Sequence, residues 1–266
     1  MTSSFDRQLE ARVALKKSLQ SRKWVHGTWN SIPHAGIVEI LAKSGLDFIG
    51  MDIEHGTHDF DAMQRVIAAT QAEGLCSLAR VPSPNGFEMM RRVMDHGADG
   101  IIAPMIETPD QVKAVIDIVK FPPRGKRSYG VNRAHGYGFD FDRYVKSWND
   151  SSLVFIQIES MGAAQSIEKL IDFPEVDGVM IGLYDLSGSI GKPGELDHPD
   201  VRAACKKIVA ACAAKGKSVG THLVEIDEAK LEDAKSLGYT FSIFASDVFI
   251  LWKWAEKARA LIDRRG

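Results

Sequence analysis

Short apolar segments alternate with longer amphipathic segments along almost the whole chain, and this alternation constrains the fold more than any other feature. The short segments are rich in Val, Ile and Phe, as buried strands are. The eight predicted strands are His26–Trp29, Asp47–Asp52, Ser77–Val81, Gly100–Met105, Leu153–Ile158, Gly178–Gly182, Ser218–Leu223 and Phe241–Ala245. Strands that alternate with helical crossovers over short joints are parallel, so the sequence predicts a parallel sheet.

Helical periodicity fills the intervals between these strands. The predicted helices are Gly36–Lys43, Asp61–Ala72, Gly86–His96, Pro109–Val119, Ala163–Ile171, Pro199–Lys215 and Ile226–Ser236. Eight strand–helix units favour a closed (β/α)8 TIM barrel, predicted as one α/β domain over residues 1–266 with an additional helix at each terminus. An open doubly wound sheet is the alternative, but no Gly-rich phosphate-binding fingerprint follows the first strand.

Two segments depart from this rhythm. Phe121–Ser152 joins the fourth and fifth strands and is much longer than an ordinary connection, and loops of that length are usually functional or mobile. In the C-terminal helix, Val248–Trp254 is apolar on almost every side, which requires burial on every side. We therefore expect this helix to pack on a neighbouring subunit.

Composition excludes several classes of partner. The 266 residues carry 33 basic and 35 acidic side chains, a net charge of −2, so we expect no broad phosphate-binding surface and no nucleic-acid partner. The three cysteines lie at no metal-ligand spacing, and no segment has the apolar run of a signal peptide or a membrane span. These features predict a soluble, cytoplasmic protein without a membrane partner.

Polar side chains stand where the predicted strands end. The candidates are Asp52, Glu54 and His55 after the second strand, Arg80 on the third, Gln157 and Glu159 on the fifth, Asp185 after the sixth and His222 on the seventh. In a barrel of this kind the C-terminal strand ends form one mouth, where chemistry collects. We therefore expect these groups to converge on a single site.

Each candidate has a chemical role and a plainer alternative. Glu159 and Asp185 could hold a hard divalent ion through oxygen, or simply cap helix N-termini. His55 could act as a base near neutral pH, with its ring held by Asp52 or Glu54. Arg80 could stabilise a substrate oxyanion, or form a salt bridge to the same two acids, and these roles can coexist.

Four elements resemble those of the class II pyruvate aldolases, the dihydroxyheptenedioate and 2-keto-3-deoxy sugar acid aldolase family of the aldolase/citrate lyase superfamily. They are Asp52-Ile53-Glu54-His55, Arg80-Val81-Pro82, Gln157-Ile158-Glu159-Ser160 and Asp185-Leu186-Ser187. The resemblance runs from Gly27-Thr28-Trp29 to the C-terminal helix and implies a barrel of the phosphoenolpyruvate/pyruvate type. All four elements occur in order, which is more specific than any one of them.

The resemblance implies a role for each matching residue. Glu159 and Asp185 would bind magnesium, manganese or cobalt, Arg80 would stabilise the enolate oxygen, and His55, supported by Asp52, would move protons. The expected substrate contacts are Gln157, Gly182, Tyr184, Glu54, Arg127, His222 and Trp29. The expected substrates are pyruvate and an aldehyde, and the expected assembly is a homohexamer. No lysine stands at a strand end, which argues against a Schiff-base route.

Some positions depart from the family pattern. Leu183 and Tyr184 stand where the family has Pro and a small residue, Ser128 replaces a Gly, and His222 stands where a less polar residue is expected. We predict reversible retro-aldol cleavage of a 2-keto-4-hydroxy acid to pyruvate and an aldehyde. One alternative is an acyl-CoA ester lyase, with a basic groove supplied by Arg124, Lys126, Arg127 and Arg133. The other is a non-catalytic keto-acid sensor, in which Tyr184 crowds the acceptor space.

Overall fold

Eight parallel strands close into a barrel in the computed structural model, which describes residues 3–264. The strands are β1 (Val25–Asn30), β2 (Phe48–Asp52), β3 (Cys76–Arg80), β4 (Gly100–Ala103), β5 (Leu153–Ile158), β6 (Gly178–Ile181), β7 (Ser218–Leu223) and β8 (Phe241–Ser246). Each strand pairs with the next, and β1 pairs with β8 in a register that sets Gly27 beside Ile243. The predicted barrel is confirmed, and the open sheet is excluded because no strand is left at an edge.

Twelve α-helices accompany the strands in the described residues. They are α1 (Ser4–Gln20), α2 (Ala35–Ala42), α3 (Phe60–Ala72), α4 (Phe87–Asp95), α5 (Pro109–Val119), α6 (Phe141–Ser151), α7 (Met161–Gln165), α8 (Ile167–Leu170), α9 (Leu183–Gly188), α10 (Pro199–Ala214), α11 (Glu228–Ser236) and α12 (Asp247–Asp263). The single helix predicted at Ala163–Ile171 is two short helices that meet at Ser166, and α9 was not predicted.

The barrel interior is filled by large rings set against glycines. A Cβ atom at Gly178 would lie 2.3 Å from the ring of Phe155, and one at Gly27 would lie 2.2 Å from the ring of Phe48. The inner wall can therefore hold phenylalanines only because the facing residues have no side chain. Interiors packed at this density tolerate no added methyl group without displacement.

Helix α1 closes the N-terminal end of the barrel, which we call the base. Leu15 and Leu19 are buried with the interior side chains of the strands. Arg12, which is 3% exposed, forms a salt bridge of 3.0 Å with Asp99, the residue that precedes β4. Asp99 also accepts a hydrogen bond from the backbone N–H of Ser77. These contacts tie the extra N-terminal helix to the strand ends that lie opposite the mouth.

The long connection Phe121–Ser152 also lies at the base, and it is folded. It contains a 3-10 segment at Arg133–Gly138 and then α6, on which Tyr144 and Trp148 are buried. The expectation of an irregular loop is wrong because two aromatic rings of α6, one helical turn apart, pack under the barrel. The side chain of Arg12 donates to Ser151 in the same layer.

Helix α12 leaves the barrel after β8 with its apolar side chains exposed. Asp247 is its only buried residue, and the large exposed side chains are Val248, Ile250, Leu251, Trp252, Trp254, Leu261 and Ile262. The prediction that a neighbouring subunit covers this helix stays a prediction. Of the helices in residues 3–264, none is long and apolar enough to cross a bilayer.

The Gly–Phe packing predicts a specific cost of substitution. Gly178→Ala should lower the free energy of unfolding by about 1–3 kcal/mol, because the new methyl group overlaps the Phe155 ring. Gly188→Ala is the matched control, since a Cβ there meets no atom within 4 Å. Urea unfolding followed by circular dichroism measures both variants. Equal stability of the two would contradict the packing account.

Candidate active site

The mouth is formed by the last inward-facing residues of the strands. Side chains alternate across a strand, so a residue two positions after an interior residue faces the interior again. Leu78 and Phe155 are interior, and Arg80 and Gln157 follow them by two positions. The same spacing from an inward-facing residue places Trp29, Asp52 and His222 on the inner wall. The alternation therefore collects polar groups from separate strands at one end of the barrel.

An ion pair between the second and third strands anchors the mouth. Arg80 donates to both carboxylate oxygens of Asp52, from Nε at 3.0 Å and from Nη2 at 2.8 Å. The Nε atom also lies 3.3 Å from Oε2 of Glu54. Beneath the guanidinium, 4.4 Å away, lies the ring of Trp29, which is 2% exposed. Trp29 was expected to contact substrate, but its ring is buried and instead supports the guanidinium of Arg80.

Glu159 is held in place by donors on both of its oxygens. Oε1 accepts a hydrogen bond of 2.7 Å from the Gln157 amide, and Oε2 accepts one of 2.6 Å from the backbone N–H of Met105. Gln157 is buried, and its own Oε1 has no hydrogen-bond partner among the described residues. The Glu159 carboxylate is therefore oriented before any ligand arrives.

The mouth carries more negative charge than its one guanidinium balances. Burial, together with the nearby carboxylates of Glu54 and Asp185, raises the pKa of Glu159 to about 7. Burial likewise raises the pKa of Glu54 to about 7, against the lowering effect of Arg80. Since Asp185 acts on both glutamates, these three carboxyl groups lie within electrostatic reach of one another.

Gly182 allows the sixth strand to approach Glu159. A Cβ at Gly182 would lie 2.7 Å from Cγ of Glu159, so a side chain at this position would displace the carboxylate. Helix α9 starts directly after this glycine, carries Asp185 in its first turn and has no side-chain cap. The close approach therefore brings Asp185 and Glu159 to the same side of the mouth.

His55 lies at the rim rather than inside the mouth. Its side chain is 70% exposed, and Nε2 is 3.7 Å from Oε2 of Glu54. Asp52 accepts a hydrogen bond of 3.2 Å from the backbone N–H of His55, not from the ring. The expectation that Asp52 holds the imidazole is therefore wrong in this structure, because Arg80 occupies that carboxylate. Glu54 is the acid that approaches the ring.

His222 is a neutral imidazole on the inner wall. Its Nε2 lies 3.0 Å from the carbonyl oxygen of Ala245, and since a carbonyl only accepts, Nε2 carries the proton. Burial, with a smaller contribution from the charge of Arg80, lowers the pKa of His222 to about 4. His222 therefore presents Nδ1 as an acceptor at neutral pH.

Of the predicted substrate contacts, Arg127 lies at the base, and Tyr184 lies on α9 next to Asp185 with an exposed ring. Arg127 is buried at the base, where Nη1 donates to the hydroxyl of Tyr144 and Nη2 to the carbonyl of Met94. Its guanidinium is used to pack the helix layer, so it cannot contact a substrate in this chain's mouth. Tyr184 is 65% exposed, and its ring lies beside Gly194.

Backbone strain supports the site at positions that sequence reasoning missed. Met105 has φ 49° and Ala245 has φ 45°, a left-handed conformation that side chains disfavour. Met105 follows β4, and its backbone N–H donates to Glu159. Ala245 lies at the end of β8, and its carbonyl oxygen contacts Nε2 of His222. No residue type signals either position. Asp247 was also missed; its carboxylate accepts from the backbone N–H groups of Ser31 and Ile32.

Comparison with known proteins gives consistent matches over nearly the whole chain. The family model described as HpcH/HpaI aldolase/citrate lyase matches residues 26–253. A hydroxypyruvate/pyruvate aldolase of Paraburkholderia phytofirmans is 31% identical over 94% of this chain and 97% of its own length. A 2-keto-3-deoxy-L-rhamnonate aldolase of Escherichia coli is 31% identical over 81% of this chain and 80% of its own. An HpcH/HpaI aldolase structure from Desulfitobacterium hafniense is 28% identical, with a TM-score of 0.84 over 93% of this chain and 96% of its own.

The neutrality of His222 predicts a pH-dependent stability. Because the pKa is about 4 in the folded chain and about 6.5 in an unfolded chain, the unfolded state takes up a proton first as the pH falls. The contribution of His222 to the free energy of unfolding should therefore decrease between about pH 7 and pH 5, by on the order of 1 kcal/mol. Glu54 and Glu159, whose pKa values are raised to about 7, act in the opposite direction in both proteins, so the quantity to measure is the difference between wild type and His222→Gln. Urea unfolding should show that wild type loses stability relative to His222→Gln from about pH 7 to pH 5, and a difference that does not change with pH would contradict this assignment.

Proposed function

The chain belongs to the HpcH/HpaI aldolase/citrate lyase family, and on that premise we propose that it cleaves a 2-keto-4-hydroxy acid reversibly to pyruvate and an aldehyde with the help of a divalent metal ion. That it is a carbon–carbon lyase of the aldolase type follows from the family and from its aldolase-named relatives. The observation that carries the site assignment is the convergence of Glu159, Glu54 and Asp185 beside Arg80.

The residues of the mouth fit a divalent ion. The donors are carboxylate oxygens, which magnesium and manganese prefer. Gln157 Oε1 is buried without a hydrogen-bond partner in residues 3–264, and the Glu54, Glu159 and Asp185 carboxyl groups, which repel one another, would be stabilised by a divalent cation. Glu159 and Asp185 would be its two protein ligands, leaving positions for substrate oxygens.

Arg80 would stabilise the charge that develops on the keto oxygen. Its Nη1 makes no hydrogen bond with the described residues, whereas Nε and Nη2 are committed to Asp52. A bidentate partner keeps the guanidinium fixed, and preorganised donors are worth several kcal/mol in catalysis, about 3 for one oxyanion donor. A divalent ion bound by Glu159 and Asp185 would polarise the same keto group.

His55 would carry the proton steps at the rim. In cleavage, its imidazole would take the proton of the 4-hydroxyl group. The C3–C4 bond breaks, the aldehyde carbonyl forms, and the electron pair passes into the enolate of pyruvate. Return of a proton to C3 gives the methyl group of pyruvate. The exposure of the His55 ring and its distance of 3.7 Å from Glu54 support a role for His55 in proton transfer. His222 and Gln157 line the remaining wall.

The acyl-CoA lyase alternative has less support. Arg127 is enclosed in the helix layer of the base, and Arg133 donates to the carbonyl of His96 at the C-terminal end of α4. Arg124 and Lys126 pair with Asp150 and Asp117. The four basic residues that would receive the nucleotide therefore lie at the opposite end of the barrel from Glu159. We retain the aldolase.

Assembly and location remain part of the proposal. Exposed apolar side chains on α12 support packing on a neighbouring subunit, for which a homohexamer is the expected form. Three free cysteines support a reducing, cytoplasmic setting.

Activity is tested directly with the purified chain. With manganese and a panel of 2-keto-4-hydroxy acids that differ in the aldehyde released, pyruvate should appear and should be detectable by a coupled lactate dehydrogenase assay. Removal of the metal by a chelator should abolish pyruvate formation. No pyruvate from any panel member, with manganese bound, would contradict the proposed function.

The two metal ligands can be tested without turnover. Glu159→Gln and Asp185→Asn should each weaken manganese binding by about a hundredfold or more, because each removes a carboxylate from a two-carboxylate site. Isothermal titration calorimetry measures the affinity. Asp172→Asn is the matched control, since that acid is exposed and pairs with Lys215. Wild-type affinity in both site variants would refute the ligand assignment.

The role of His55 separates proton transfer from metal binding. His55→Ala should slow exchange of the pyruvate methyl protons with deuterated water by about a hundredfold or more, because the base is lost. Manganese affinity should change little, since the ring is not a proposed ligand. Proton NMR follows the exchange. An unchanged exchange rate would assign the base to another group.

A further inference from the structure

A second cavity lies at the base of the barrel, away from the mouth. It has a volume of about 450 Å³ and lies between α1, the C-terminal end of α3 and the segment 133–140. Its wall includes Arg7, Arg12 and Arg133. Three guanidinium groups around one cavity are unexpected in a chain of net charge −2, and neither the barrel mouth nor the proposed reaction uses them.

Arg133 is half-buried without a carboxylate partner. Its Nη1 donates to Oε1 of Gln71 at 3.0 Å and to the carbonyl of His96 at 2.9 Å, both uncharged acceptors. No carboxylate of the described residues lies within 4.0 Å of its guanidinium, whereas most other arginines of the chain have one. Burial lowers the pKa of Arg133. A desolvated cation without a counter-ion is costly, and an anionic ligand would remove that cost.

The other charges of the wall do not compensate Arg133. Arg12 is neutralised by Asp99, and its Nη2 is buried without a hydrogen-bond acceptor in the described chain. Asp140 lines the cavity but also lies 3.3 Å from Arg143, outside the lining. Arg7 is exposed at the rim. Arg133 therefore keeps its positive charge at the cavity wall without a carboxylate within 4.0 Å among the described residues.

We propose that this cavity binds a small phosphate monoester. A phosphoryl group carries nearly two negative charges at neutral pH and offers three oxygens, and arginine forks match its geometry. Arg133 and Arg7 would hold the phosphoryl group. Polar groups of Gln8 and Tyr137 at the wall would contact the hydroxyl groups of the ester. The proposal is independent of the reaction at the mouth.

Such a ligand would bridge parts of the chain that are distant in sequence. Arg7 lies on α1 and Arg133 begins the 3-10 segment, where Tyr137 has a left-handed φ of 57°. A dianion between them would bind the folded arrangement and not the unfolded chain. Binding should therefore also raise the melting temperature in a concentration-dependent way.

Titration of the full chain with glycerol 3-phosphate tests the site. Wild-type protein should bind one equivalent saturably by isothermal titration calorimetry. Arg133→Gln should weaken binding about tenfold or more, because a charge-assisted contact is lost. Arg202→Gln is the matched control; it removes one exposed arginine that pairs with Asp197 on the far side of the chain, and should bind like wild type.

A second variant guards against misfolding of Arg133→Gln. Ala72 lies at the exposed C-terminal end of α3 and lines the cavity, so Ala72→Glu adds a negative charge while keeping every arginine. It should also weaken binding about tenfold, with an unchanged circular dichroism spectrum. Absence of saturable binding, equal loss in Arg202→Gln, or wild-type affinity in Ala72→Glu would overturn the proposal. Tighter binding of malonate than of the phosphate would also overturn it, since a dicarboxylate would then be the ligand.

Discussion

The bidentate ion pair between Arg80 and Asp52 fixes the geometry on which the rest of the mouth depends. Two hydrogen bonds at 3.0 and 2.8 Å join the ends of neighbouring strands, and the Trp29 ring supports the guanidinium from below. Breaking a buried pair of this kind costs about 3–5 kcal/mol, because one charge is left uncompensated. The pair uses Nε and Nη2 of Arg80 and leaves Nη1 without a hydrogen-bond partner among the described residues, so we propose that Nη1 binds the substrate oxygen.

The surplus of acid around that pair gives the mouth its chemistry. One guanidinium faces Asp52, Glu54, Glu159 and Asp185, and two of these carboxyl groups have a pKa raised to about 7. A site built for stability would have paired these charges. This surplus of carboxyl groups supports the proposed cation site. The left-handed backbone of Met105, whose N–H donates to Glu159, is a conformational cost that accompanies the orientation of that carboxylate.

The opposite end of the barrel has a different composition and a different role. There the arginines are enclosed by aromatic rings, as Arg127 is by Tyr144 and Trp148, and the helix α1 closes the interior. Separation of a stabilising base from a reactive mouth is general among these barrels. Arg133, which has no carboxylate within 4.0 Å in residues 3–264, departs from this division of roles between base and mouth.

Periodicity was enough to predict the barrel, because short strand-like segments alternate with segments of helical period eight times along the chain. The sequence also predicted that Asp52, Arg80 and His222 lie at strand ends, because each is a polar residue at the end of a short, mostly apolar segment. The sequence could not predict which acid pairs with which base. In the structure Asp52 binds the guanidinium of Arg80, and Glu54 is the acid near the imidazole of His55. The positive φ of Met105 has no residue signature. The segment Phe121–Ser152 forms regular structure because Tyr144 and Trp148 of α6 are buried against the rest of the protein. Its many prolines and glycines gave no sign of this tertiary packing.

A crystal structure with manganese and pyruvate, measured at the manganese absorption edge, tests the central claim most directly. The account predicts one anomalous peak between the carboxylates of Glu159 and Asp185, with the keto oxygen of pyruvate within hydrogen-bond reach of Arg80. A peak at any other group of residues, or pyruvate bound away from Arg80, would contradict it.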